Sequence, residues 1–254
     1  MYPLVLHYIW LNFLYLSLRD LFLQKSILIA ICLFQYQAGN VPMGTNDSVN
    51  EYHLKTIKQL EAVYGDPLDV AVNKQTNHIS EPGKAFINAA PFLILATASE
   101  NGVDCSPKGD KPGFVKLKDD RTLLVPDRKG NNRVDGMKHI ISNPKVGVIF
   151  LIPGVDLTYR VNGMATISIE PDLLGLFLVN DKPPCSVICI KVETAFHHCT
   201  KALVRANLWH DGAIGAPVNA PNMASFAKIR AGNDSIDLEK YEAEYRARVK
   251  ETLY

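Results

Sequence analysis

The sequence has no excess of charge: 254 residues carry 27 Lys and Arg against 26 Asp and Glu, a formal net charge of +1. Arg19, Asp20 and Lys25 are the formally charged side chains of residues 1–42, which leaves 25 basic and 25 acidic residues in the rest. A neutral body exerts no general pull on nucleic acid, so any anion site must be local. The five cysteines (Cys32, Cys105, Cys185, Cys189, Cys199) are an odd set without framework spacing. That argues against a disulfide scaffold and suits a reducing compartment, so a cytoplasmic location is expected. Cys185 and Cys189 with His197, His198 and Cys199 can be drawn as a metal site. However, Ser186–Val192 reads as a strand that points positions 185 and 189 to one face, and we read the thiols as core or surface groups, with no metal. There is no Gly-rich dinucleotide fingerprint, internal repeat or low-complexity tract. Ser106 has no His at a recognisable triad position, so a nucleophilic Ser is unsupported.

Long apolar runs are also lacking. Leu4–Leu18 is interrupted by His7, Asn12 and Ser17, and Ser26–Phe34 is short, so neither reaches the ~18 residues of a spanning helix. Tyr36-Gln-Ala38 is a poor cleavage site for a signal peptide. Three readings of residues 1–42 stand: a weak membrane or targeting segment, a docked apolar helix, or sequence upstream of a natural start at Met43. We favour the last and expect the core domain to fold without these residues, unassociated with a membrane.

Apolar content of 47% and charged content of 21% are globular values. Residues 43–90 form an N-terminal helical segment. In it Tyr52, Leu54, Ile57, Leu60 and Val63 recur near helical spacing before Gly65, and Ser80 caps a helix with Pro82 in its first turn. From residue 91 to 210 the pattern changes to short strands: Phe92–Ala98, Val103–Pro107, Gly113–Leu117, Thr122–Pro126, Lys145–Ile152, Leu157–Ile169 and Val187–Thr194. Asn101-Gly102 is a hairpin signal. Helices are expected at Asn131–Ile141, Glu170–Val179 and Ala195–Trp209. Residues 211–254 read as a Gly/Pro-rich loop and a helix at Asp237–Leu253, whose sparse apolar stripe must dock on the barrel or a second subunit. The pattern predicts a mainly β fold with flanking helices, a closed or nearly closed antiparallel barrel.

Two clusters carry the chemistry. In Arg128-Lys-Gly-Asn-Asn-Arg133, Gly130 permits a tight turn, and Asn131 and Asn132 stand where a helix is expected to begin. Backbone N–H groups at that helix start, with Arg128 and Arg133, suit a phosphate, and Asp127 needs a cationic partner there. In Ser106-Pro-Lys-Gly-Asp110, Lys108 and Ser106 offer contacts to a phosphate or a polar ring edge, and Gly109 permits close backbone approach. Each cluster alone also reads as an ordinary polar turn. A third group, His198, Lys201, Arg205 and Trp209, shares one side of the helix expected there; it reads equally as a pocket wall with Trp209 stacked on a ring or as a structural helix with Trp209 in the core and its charges solvated. Arg160 and Asn162 alternate on one face of a strand and either serve the sheet structurally, the reading we favour, or close the pocket or a subunit interface.

The run Pro91–Val161 resembles the FMN-binding split-barrel family related to pyridoxamine 5'-phosphate oxidase. Members of one subgroup read Ser-Pro-Arg-Gly-Asp, Leu-Ile-Pro-Asp-Arg-x-Gly-Asn-x-Arg, Asn-Pro and Leu-Arg-Val-Asn-Gly, and Phe196–Ala202 and Leu208-Trp209 match that subgroup's second half. The resemblance spans roughly Asn50 to Trp209. It implies a six-stranded antiparallel split barrel working as a homodimer, with FMN at the subunit interface. Carried over by position, Ser106, Lys108, Gly109, Asp110, Val125, Asp127, Arg128, Asn131, Asn132 and Arg133 are FMN candidates, joined by Arg160 and Trp209. Lys108 stands where the subgroup more often has Arg and loses bidentate phosphate geometry. The Arg-x-Val-x-Leu-Lys strand and C-terminal Arg-x-His motif of true pyridoxamine phosphate oxidases are missing, so their substrate does not transfer. The expectation is an FMN-dependent oxidoreductase acting on a small molecule, with no catalytic residue named. The alternatives are a non-catalytic flavin carrier or sensor, or a split barrel holding deazaflavin or haem.

Overall fold

Leu93, Leu95 and Thr97 alternate along strand β1 (Phe92–Ser99) and are all buried, as the period of two requires. A computed structural model describes residues 52–209, 221–232 and 236–253. The apolar runs expected at 4–18 and 26–34, the Met43 start and the Gly/Pro-rich loop through residue 220 lie outside the described residues. The chain divides into two units, Met1–Gly65 and Asp66–Tyr254.

In the first unit, α1 (Ile57–Tyr64) opens on a capping box. Thr56 Oγ1 accepts from Gln59 N–H at 3.2 Å, and Gln59 Oε1 accepts from Thr56 N–H at 3.1 Å. The helix buries none of its residues, so caps rather than packing define it.

The second unit opens with α2 (Asp69–Asn73) and α3 (Glu81–Ala89), the latter capped by Ser80 with Pro in its first turn as expected. After β1 come β2 (Gly102–Gly109), β3 (Lys116–Asp119), β4 (Thr122–Asp127), α4 (Asp135–Ser142), β5 (Lys145–Ile152) and β6 (Val155–Ser168). The remaining elements are α5 (Pro171–Gly175), β7 (Ser186–His198), α6 (Lys201–Ala206), α7 (Met223–Ala231) and α8 (Leu238–Glu251). The strands form one antiparallel sheet in the order β2-β1-β5-β6-β7-β4-β3. This is the expected mainly β split barrel with flanking helices, with seven strands rather than six. The strand expected at Gly113–Leu117 is displaced to β3, because Gly113 has φ 84° and Phe114 N–H closes a turn onto Lys111 O at 3.2 Å.

Register explains the core. Leu95 lies opposite Val148, Val148 opposite Val161, and Val161 opposite Ala195, so one buried row crosses four strands. Leu95, Val148 and Val161 each contribute about 1.5–3 kcal/mol by leaving water. β4 is apolar almost continuously because it is covered on both sides. Leu123 and Val125 enter the main core, while Leu124 joins Phe177 and Val187 beneath α5.

Three helices differ from the sequence reading; the one expected at Glu170–Val179 ends at Gly175, in a turn that leads into the buried Phe177. The helix expected at Ala195–Trp209 is strand up to His198, because β7 stays paired with β6 as far as Thr158 opposite His198. Only Lys201–Ala206 is helical, so the shared helical face of His198, Lys201, Arg205 and Trp209 does not form. The helix expected from Asn131 begins at Asp135, because Asn132 (φ 60°) and Val134 (φ 49°) are left-handed and interrupt it. The C-terminal helix α8, capped by Asp237, packs on α7.

Candidate functional site

Period two also positions the site. Asp104, Ser106 and Lys108 share one side of β2. β1 pairs with β2 on one edge of the sheet, and β4 lies between β3 and β7 near the other. No ladder joins β2 to β4 among the described residues, yet their ends meet through side chains. Lys108 Nζ donates to Asp127 Oδ1, so Asp127 finds its cation on β2 and not within its own cluster, and Arg128 Nε donates to Asp110 Oδ2 at 3.0 Å. Arg128 Nη2 also donates to Phe177 O at 3.2 Å, which ties the loop after β4 to the turn after α5.

This seam floors a cavity of about 730 Å3, closed on a third side by the first turn of α4. Ser106, Lys108 and Gly109 line it from β2 and Asp110 from just beyond, and Asp127 and Arg128 line it from the end of β4 and the residue after it. Asn131, Asn132 and Arg133 line it from the loop between. Nine of the twelve expected residues are therefore brought together. Val125 is not among the lining; it is a core residue, 1% exposed, opposite Ile188. Arg160 stands on β6 with its guanidinium 5.2 Å from the ring centre of Phe196. Trp209 follows α6 with Nε1 buried and without a partner. Neither Arg160 nor Trp209 lines the cavity.

The local chemistry of the loop differs from that read in the sequence. Asn131 Oδ1 accepts from Arg133 N–H at 3.1 Å, a local turn in place of a helix cap. Gly130 has no positive φ and open space at its Cβ position, so the left-handed residues are Asn132 and Val134. A β-branched residue in that region stores about 1–3 kcal/mol of strain. Gly109 sits in tight packing, since a Cβ there would lie 3.1 Å from Pro91 O and 3.3 Å from Phe92 Cδ2. Arg133 reaches Asp135 at 2.8 Å, and this contact, followed by Lys138, holds the Asp135 carboxyl below its ordinary range. Asp135 thus already answers the positive end of α4.

Several lining residues escaped the sequence reading. Asp104 was legible in principle from its i, i+2 relation to Ser106. Lys129 adds a cation beside Arg128. Gly136 and Met137 carry no local signal, because their place depends on how α4 crosses β1 and β2. Leu253, beyond α8, contributes an apolar side chain to the lining.

The lining fits a phosphorylated flat ring. Its volume is within the roughly 300–1,000 Å3 of small-ligand pockets. Lys129 and Arg133 stand at the exposed loop end, and Ser106 and Lys108 offer an acceptor and a donor along the wall.

Residues 79–199 match the family model for pyridoxamine 5'-phosphate oxidase. That segment, just under half of the chain, is similar to the pyridoxamine 5'-phosphate oxidase family. Solved structures to which the chain is similar include a pyridoxamine 5'-phosphate oxidase-like protein of Lactobacillus delbrueckii. It is 20% identical, with a TM-score of 0.38 over 48% of this chain and 95% of that one. HupZ of Group A Streptococcus is 26% identical, with a TM-score of 0.39 over 47% of this chain and 93% of its own. An FMN-binding protein of Syntrophomonas wolfei is 14% identical, with a TM-score of 0.38 over 56% and 97% of the two chains. No curated protein matches. Among the described residues, no helix of this split-barrel protein is long and apolar enough to cross a membrane.

Proposed function

We propose that the cavity binds FMN and that the protein is an FMN-dependent oxidoreductase acting on a small molecule. The observation that carries this reading is the convergence of nine expected residues, from β2, β4 and the loop before α4, on one cavity. When bound, FMN supplies the electron chemistry. The protein's own residues bind and orient. Lys129 and Arg133 meet a phosphate at the loop end, Ser106 and Lys108 meet the polar edge of the ring, and the seam ion pairs hold the wall in place. No side chain is assigned as acid or base, and none is required beyond the cofactor.

The same proposal includes a homodimer with shared sites. Arg160 and Trp209 lie away from the cavity lining of their own chain, so contact with FMN falls to them only across a subunit boundary. The absorption spectrum and mass of the ligand that copurifies with the full chain test the cofactor. Flavin bands with the mass of FMN are expected; a haem or deazaflavin would overturn the reading. Anaerobic reduction by NAD(P)H and reoxidation by a defined acceptor separate an oxidoreductase from a carrier or sensor, which would bind without turnover.

A further inference from the structure

Ser106 Oγ donates to Asp104 Oδ2 at 2.6 Å, and both residues face the cavity from β2. A carboxylate oxygen accepts and does not donate, so this contact commits the hydroxyl proton of Ser106. The lone pairs of Oγ are what remain for a ligand. Packing holds the pair in this arrangement. A Cβ on Gly136 would stand 2.9 Å from Asp104 Oδ2 and 3.7 Å from Ser106 Oγ, so α4 leaves Asp104 little room to swing away. Thr97, opposite Asp104 in the β1–β2 ladder, is itself bonded to His139 Nδ1 at 3.2 Å. Two residues further along β2, Lys108 has three donors on Nζ, and Asp127 takes one of them.

We infer that Ser106 meets the ligand as a hydrogen-bond acceptor and that Asp104 is the positioning residue that makes it one. The wall then reads acceptor followed by donor. It selects a ring edge with an N–H beside a carbonyl and rejects the same ring alkylated at that nitrogen. This rests on the FMN reading, since the oxidised flavin ring carries its single N–H between two carbonyls. A fixed acceptor left facing an N-methyl group loses its partner in a partly enclosed wall, and that loss discriminates.

Apoprotein prepared from the full chain is titrated with FMN and with 3-methyl-FMN, following flavin fluorescence. The wild type is expected to prefer FMN by about tenfold, the equivalent of one hydrogen bond. Ser106→Ala should bring the ratio to within about twofold while leaving 3-methyl-FMN affinity near the wild-type value, which also shows that the variant is folded. Asp104→Ala, which frees the hydroxyl proton, should lower the ratio at least about threefold, whereas Asp104→Asn retains an acceptor oxygen and should preserve it. Gly136→Ala, which pushes on Asp104, should shift the ratio in the same direction as Asp104→Ala. A wild-type ratio near one overturns the inference and leaves the FMN reading standing. A ratio that stays near tenfold in Ser106→Ala does the same, because the methyl group then clashes elsewhere. Wild type that binds neither flavin sinks both.

Discussion

Arg128 Nε and Asp110 Oδ2 lie 3.0 Å apart and join the loop after β4 to the end of β2, two strands with no shared ladder. With Lys108–Asp127 beside it, this contact substitutes side-chain pairs for the backbone bonds a closed barrel would have. Both members are largely buried, so removing one leaves the other desolvated. Asp110→Ala should therefore destabilise the apoprotein by about 1–3 kcal/mol, less than a fully buried pair because the seam borders solvent. Urea unfolding measures it. A change below about 0.5 kcal/mol would mean that the seam is held by packing alone.

Gly163 accounts for part of the family motif in structural terms. β6 and β7 shift register between Asn162 and Gly163, and a Cβ at Gly163 would stand 2.1 Å from Lys191 O. Backbone cannot yield as a side chain tip can. Gly163→Ala is expected to cost on the order of 1–3 kcal/mol by overpacking, without touching the cavity. Thermal unfolding of the variant checks this, and an unchanged midpoint would refute it.

The legibility of each element depends on where its signal resides. Leu93, Leu95 and Thr97 announce β1 because alternation is local. The end of β7 reads as helix in the sequence because Ala195-Phe-His-His198 has no alternation of its own; pairing with β6 decides it. Ser106 and Lys108 are legible from spacing along one strand, and Asp104 shares that spacing. Gly136 is not, since its importance lies in the approach of α4 to Asp104 and Thr97. Val125 comes from resemblance, which transfers a position without saying on which side of a strand it points; Trp209 comes from a helix face that does not form, and the alternation that singles out Arg160 does not say what its face meets.

His198 gives a pH signature. Burial first, then the charges of Arg160 and Lys74, lower its pKa below the ordinary 6.5. The folded imidazole therefore resists protonation more than the unfolded one. Above pH 6.5 both states are neutral and stability is unaffected; as pH falls below it, the unfolded state takes up the proton first and stability declines. His198→Gln should flatten the fall in urea midpoint between neutral pH and about pH 5 relative to wild type. Parallel curves for the two proteins would show that other groups cause the decline.

A homodimer should give a scattering mass of about twice 28.2 kDa for the flavin-loaded protein. A monomer that retains tightly bound flavin would remove the proposed cross-subunit role of Arg160 and Trp209.

Arg133 tests where a phosphate sits. Its side chain is 78% exposed and engages Asp135, and it stands at the loop end of the cavity beside Lys129. If it meets the FMN phosphate, Arg133→Ala removes a charge-assisted contact to a dianion. Solvent exposure and competition from Asp135 place the loss at about 1–2 kcal/mol, roughly five- to thirtyfold in affinity. Riboflavin lacks the phosphate and should bind both proteins alike, whereas general damage to the fold would weaken both ligands. Fluorescence titration of the apoprotein with each flavin gives the comparison. Equal FMN affinity in wild type and Arg133→Ala would move the phosphate to Lys129 or Arg128, which precede the left-handed Asn132 in the loop.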